Sequence, residues 1–289
     1  MRMFYLQKGT GERIGLNNES GIFLSEPSGL GLEFGDRYAD IGEGFFRMIA
    51  KVHNQKTITC KLNFVGKNPY ETYNNLINWC ISAERLYFIY KPLKTEYYIR
   101  TEITKFEKSE INKFGYLEVP ASFLYLSPWY TPTALNLSFI GIDDNAFRTG
   151  VSKLDGPAVL VGTTAEKYTV QVDPNGHLPA AFYLEYHGIA EDPEITLTGL
   201  STGTVYGDCK LDHQFAATTG FKLSTAYEES YIKKILSDGS EEDLLNDVDL
   251  SLEPFFKMPL TEPCVLRLND DGALHGTLSA KVYYYYRSV

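Results

Sequence analysis

Cysteine is scarce and scattered. The chain has four, Cys60, Cys80, Cys209 and Cys264, with no CxxC and no tight spacing. That pattern signals neither a zinc site nor a disulfide framework, and the four read as reduced core residues. Histidine is as thin: His53, His177, His187, His213 and His275 lie far apart and form no HxH or HExxH, so no metal site is indicated by spacing. No apolar run approaches membrane-spanning length, and Met3 to Leu6, near the start, is too short for the core of a signal peptide. Synthesis in a cytoplasm, without export by the general pathway, is the expectation. Basic residues are the minority, 27 Lys and Arg against 37 Asp and Glu, a net charge of −10 with no basic run, which argues against nucleic-acid binding.

Catalytic signatures are missing as well. There is no GxSxG elbow, and the glycines of "GLGLEFG" follow no phosphate-loop pattern. The stretch "DCKLDH" sets Asp208, Cys209, Asp212 and His213 close together, the donor types of a metal site, but reads as a polar loop leading into a strand. Acidic groups at Asp143 and Asp144, at Glu241 to Asp243, and at Asp270 and Asp271 each lie beside Gly or Asn, where turn chemistry alone explains aspartate. A glycosidase needs two carboxylates facing each other across a cleft, a distance no sequence carries. No catalytic, cofactor-binding or metal-binding residue is therefore assigned, no cofactor is expected, and the balance moves to a structural or binding role.

What the chain has in quantity is aromatic surface: 21 Tyr and 17 Phe among 289 residues, more than a minimal core needs. Its length allows one large β-rich domain or two domains, and two is the preferred division. "KTITCKLNFVG" gives the clearest alternation of the first half, with Ile58, Cys60, Leu62 and Phe64 on one face. "NPYETYNNLINWCISA" changes period: Asn68 is placed to cap, Pro69 suits the first helical position, Glu71 completes a capping box, and Tyr73, Leu76, Ile77 and Cys80 form one apolar stripe. Short strands and turns precede this helix, in "GIFLSEPSGLGLEFGDRY" and "DIGEGFFRMIAKV". Three strand candidates follow it, in "RLYFIYKP", "EYYIRTEITKFEKSEI" and "GYLEVPASFLYLSPWY", and together they predict a compact α+β unit.

After "SPWYTPTALNLSF" the texture is all-β, with turn signals at "GIDDN", "LDGP", "DPNG", "EDPE", "STG", "SDGS" and "NDDG". "AYEESYIKKIL" fits either a helix or a strand entering a tight turn. The chain ends in "AKVYYYYRSV", where alternation puts Tyr283 and Tyr285 on one face and Tyr284 and Tyr286 on the other. Such a run suits the closing strand of a β-sandwich, covered on both sides; the rival is a ligand or partner surface.

The order of these features resembles the siphophage distal tail proteins, the Dit family. Glycine-rich N-terminal strands, "TITCKLNFVG", the helix "PYETYNNLINWCISA", "LYFIYKP", "EYYIRTEITKFEKSEI" and a hairpin ending "FLYLSPWY" resemble the family's N-terminal domain. "FKLSTAYEESYIKKILSDGSEEDLLNDVDLSLEPFFKMP", "CVLRLNDDG" and the final aromatic strand are similar to its terminal jelly roll. The segment from Gly141 to Tyr168 has no counterpart and reads as a linker or an extra hairpin. The resemblance implies a mainly β chain with residues 1–130 as an α+β ring-forming (belt) domain and residues 131–289 as a galectin-like β-sandwich, or jelly roll. It further implies a structural virion protein without catalysis, a homo-oligomer assembled as a hexameric ring at the tail tip. Its partners would be the tail-tube protein, the tail-associated hub protein and receptor-binding proteins, with neither membrane nor specific nucleic acid among them. Rival readings are a carbohydrate-binding module for host cell-wall glycan and a cell-wall hydrolase.

Overall fold

In the computed structural model, residues 2–31, 34–53, 55–140, 167–270 and 274–289 are described. They form two compact units: Met1–Thr131 together with Tyr286–Val289, and Pro132–Tyr285. The expected features at 141–166 and at Asp271 lie outside the described residues.

The first unit is antiparallel throughout. Strands β1 (Met3–Lys8), β2 (Arg13–Gly15), β3 (Ile22–Ser28), β4 (Phe34–Gly42), β5 (Phe45–His53) and β6 (Thr57–Phe64) precede helix α1 (Pro69–Ile81), and β7 (Leu86–Lys91), β8 (Tyr97–Phe106), β9 (Leu117–Tyr125) and β10 (Trp129–Leu135) follow it. Hydrogen bonding runs β2, β1, β7, β8, β9, β6, β3, while β4 and β5 pair only with each other. One core joins the elements of that longer order and α1. Ile58, Cys60, Leu62 and Phe64 of β6 enter it as their alternation predicts, beside Phe4, Phe88, Phe123 and Trp129 and the α1 residues Tyr73, Leu76 and Cys80. Burying an aliphatic or aromatic side chain contributes about 1.5–3 kcal/mol, so this cluster dominates the unit's stability. Strand β3 closes one edge with Pro27, a left-handed Glu26 (φ 52°) and a register shift between Ser25 and Ser28, all of which blunt it against further pairing.

Helix α1 begins at Pro69 as its sequence predicts, but the capping box does not form. Asn68 makes no side-chain bond to the helix backbone; its Nδ2 instead donates to Glu71 Oε2 at 2.7 Å. The carboxylate expected to reach back to a backbone N–H has captured the amide of the residue expected to cap. A second difference falls in "GYLEVPASFLYLSPWY", which is two strands rather than one. Pro128 has no N–H to offer a ladder, and the chain breaks between Tyr125 and Trp129.

The second unit holds two sets of five antiparallel strands, the second set a sheet of its own. One orders β19 (Glu241–Asp243), β18 (Ser230–Ile235), β17 (Gly220–Thr225), β13 (Leu178–Glu191) and β21 (His275–Tyr286); the other orders β11 (Ser138–Ile140), β12 (Lys167–Val172), β20 (Cys264–Asn269), β14 (Glu194–Gly199) and β15 (Val205–Lys210). A two-residue strand, β16 (Gln214–Phe215), also pairs with β13. Both sets bury alternate residues, Phe182, Leu184 and Tyr186 on β13 and Cys264, Leu266 and Leu268 on β20, which is the pattern of a β-sandwich. The ambiguous "AYEESYIKKIL" resolves as β18, with Ile232 and Ile235 buried.

Candidate assembly interface

The residues of "DCKLDH" are packed into the second unit. Cys209 lies in β15, fully buried, and burial pushes its thiol up to about 12. His213 Nδ1 is 2.9 Å from Asp247 Oδ2, and its ring packs on Phe215. Asp208 is raised above the ordinary carboxylate range, first by burial and then by the negative charges of Glu194 and Asp249. Among the described residues no three His, Cys, Asp or Glu are grouped to hold a metal ion, and no helix is long and apolar enough to cross a membrane.

Of the acidic groups read as turns, one is a strand, and Asp270 stays in the connection after β20. Glu241 to Asp243 form the edge strand β19, where Glu241 bridges Lys222 at 2.8 Å and Lys233 at 3.0 Å, two lysines that sit opposite each other and would otherwise repel. Asp270 is buried and accepts the backbone N–H of Glu191 with both oxygens at 3.1 Å, tying β20 to the end of β13. A second buried carboxylate, Glu262, is not singled out by the sequence. It accepts from the N–H groups of Ser201 and Thr202 and from the hydroxyls of Thr202 and Tyr206, and these bonds, Tyr206 first, hold it at about 2. Each has a structural partner set.

The tyrosine run is packed rather than displayed. Tyr284 and Tyr285 are buried, with the Tyr284 hydroxyl donating to the Asp173 carbonyl and the Tyr285 ring meeting Tyr227 edge-on at 5.1 Å. Tyr286 leaves this environment for the first unit, where its ring stands edge-on to Tyr97 at 5.3 Å. The run therefore offers no row of open rings for stacking on a sugar.

Exposed apolar surface concentrates instead on the β4–β5 hairpin. Tyr38, Ile41, Phe45, Phe46, Met48 and Ile49 are each between 52% and 68% exposed, with values set by Met48 and Ile49. Tyr38, Phe46 and Met48 share one face, since Tyr38 pairs with Met48 and Asp40 with Phe46; Phe45 and Arg47 take the other. Apolar side chains thus occupy both faces. The register shifts where Ile41 and Ile49 are skipped, which bends the ribbon. A two-residue turn closes it, with Glu43 at φ 55° and Gly44 at φ 80°, and Asp40 Oδ1 accepts the Gly42 N–H at 2.8 Å. A lone two-stranded ribbon is marginal in water, and contiguous apolar surface of this kind marks a contact surface.

Residues 3–126, which include this hairpin, match the family described as distal tail protein, N-terminal domain. No curated protein matches the chain. Among solved structures, a chain of the phage P2 baseplate in its activated conformation with Ca is 14% identical at a TM-score of 0.70, with 100% of both chains covered; the Sr form of that baseplate gives the same figures. The SPP1 Dit protein, described as a paradigm of hub adsorption apparatus in Gram-positive infecting phages, is 10% identical at a TM-score of 0.55, covering 97% of this chain and 99% of its own. Residues 3–126 thus carry a domain of the distal tail protein family, and the chain shares its fold with these baseplate and hub proteins.

Proposed function

We propose that the chain builds a ring at the tail tip, with residues 1–130 as the ring-forming domain, six copies per ring, and residues 131–289 as a galectin-like sandwich. It acts through interfaces, with the tail-tube protein on one side of the ring, the tail-associated hub protein on the other and receptor-binding proteins at the periphery. The observation that carries this reading is the hairpin with large apolar side chains on both faces. Each gains about 1.5–3 kcal/mol on full burial, so covering six already partly buried is worth on the order of 6–11 kcal/mol gross. That is comparable to the cost of roughly 4–15 kcal/mol for docking two bodies, which makes assembly feasible and keeps it concentration-dependent.

The joining role is tested by mixing the purified chain with preformed tubes of the tail-tube protein from the same phage and imaging them by negative stain. Discs capping tube ends are expected. Tubes that stay bare at a high excess of the chain would count against the proposed partner.

A further inference from the structure

If the hairpin builds a ring, it must seat on a different surface of the next copy. A patch that meets its own twin closes a two-fold dimer and stops, whereas a donor element and a separate acceptor surface give a head-to-tail contact that closes into a ring. The first unit has a concavity of suitable character, about 570 Å³ in volume, between the end of α1 and strands β7 and β8. Ile77 and Ile81 of α1 supply apolar lining from the helix, and Ile103, Phe106 and Leu126 supply it from the sheet. Ile81 is 77% exposed although it sits beside the helix's buried stripe, as an uncovered interface residue would be. The charged lining carries both signs, Arg85 and Arg100 with Glu84 and Glu102. The hairpin carries both signs too: Asp40 and Glu43 at its turn, and Arg47 beside Phe46.

We propose that this groove is the acceptor for the β4–β5 hairpin of a second copy of this chain, its apolar lining taking Phe45 and Phe46 while Arg85 and Arg100 meet Asp40 and Glu43. The proposal rests on the self-association proposed above. It supplies what that reading leaves open, the surface that receives the hairpin. Apolar contact provides most of the attraction, and the charges fix which way round the hairpin enters.

The test uses the full chain and three variants, followed by sedimentation at several concentrations, with circular dichroism and melting curves to confirm that each is folded. Asp40→Lys with Glu43→Lys reverses the hairpin turn, Arg85→Glu with Arg100→Glu reverses the groove, and the third variant carries all four changes. Each double variant is expected to weaken self-association at least tenfold, and the fourfold variant to recover it to within a few-fold of the parent. Groove reversal that leaves assembly intact, while hairpin reversal abolishes it, overturns the groove and leaves hairpin-driven assembly standing. Loss in both doubles without recovery in the fourfold variant also overturns the pairing. Groove reversal that abolishes capping of tail-tube ends but not self-association reassigns the groove to another tail protein and overturns the proposal. A parent chain that stays at one subunit's mass of 32.6 kDa at every concentration removes the self-association reading itself, and the groove's occupant with it.

Discussion

Glu96 shows how much a single surface-facing side chain can organise. Its carboxylate meets Arg13 at 2.7 Å, Lys91 at 3.2 Å and the Tyr98 hydroxyl at 2.8 Å, linking β2, β7 and β8. The Arg13 bond above all, opposed by partial burial and reinforced by Tyr98 and Lys91, holds the carboxyl at about 2 against an ordinary 4.5. Because the folded value lies below the unfolded one, Glu96 adds stability that is fully present above the unfolded value and lost as pH falls through the folded one. Glu96→Gln is therefore expected to melt lower than the parent at neutral pH, with the gap closing as pH drops from about 5 toward about 3. Thermal melts across that range check it, and a constant gap contradicts it. None of this network was legible in the sequence, because its members are separated by as many as 85 residues and meet only through strand pairing.

At the scale of elements, legibility tracked how local the signal was. The alternation of β6 and the stripe of α1 were readable because each is fixed by residues within a few positions. Asn68 and Glu71 were visible as a pair, yet spacing alone does not say whether two polar side chains will bond the backbone or each other. The β4–β5 hairpin was legible as short strands and turns, but not as a pair. Its turn is Glu43-Gly44 rather than the Asn-Gly or Asp-Gly that announces such a loop, and periodicity does not tell that its apolar residues are uncovered. Strand β15 holds a further constraint that only packing reveals. A Cβ on Gly207 would lie 2.0 Å from the Phe256 Cβ, so Gly207→Ala is expected to destabilise the second unit by about 1–3 kcal/mol through overpacking. Denaturant unfolding measures it, and a loss under about 0.5 kcal/mol, the range of ordinary surface changes, would show that Phe256 moves aside freely.

Across the whole molecule, several groups that looked like chemistry have structural partners, and the surface proposed for assembly carries mostly apolar side chains. The buried carboxylates Glu262 and Asp270 pin loops and strands, the four cysteines are buried free thiols, and the tyrosine run closes the second unit before handing Tyr286 to the first. The family resemblance was readable from the order of elements over nearly the whole chain, while the contact surface had to wait for exposure. Fold stability and assembly should therefore separate. Phe45 and Phe46 are about two-thirds exposed, so replacing both with serine is expected to leave the melting temperature of the core nearly unchanged while removing the apolar cover that assembly needs. The most direct measurement is native mass by light scattering, for the parent chain and for Phe45→Ser with Phe46→Ser at matched concentrations. A parent near six times 32.6 kDa, beside a variant that melts alike but elutes as single subunits, is the predicted result. A serine variant that still assembles at the parent's mass, or a parent that stays monomeric as its concentration rises, would contradict the claim that this hairpin builds the ring.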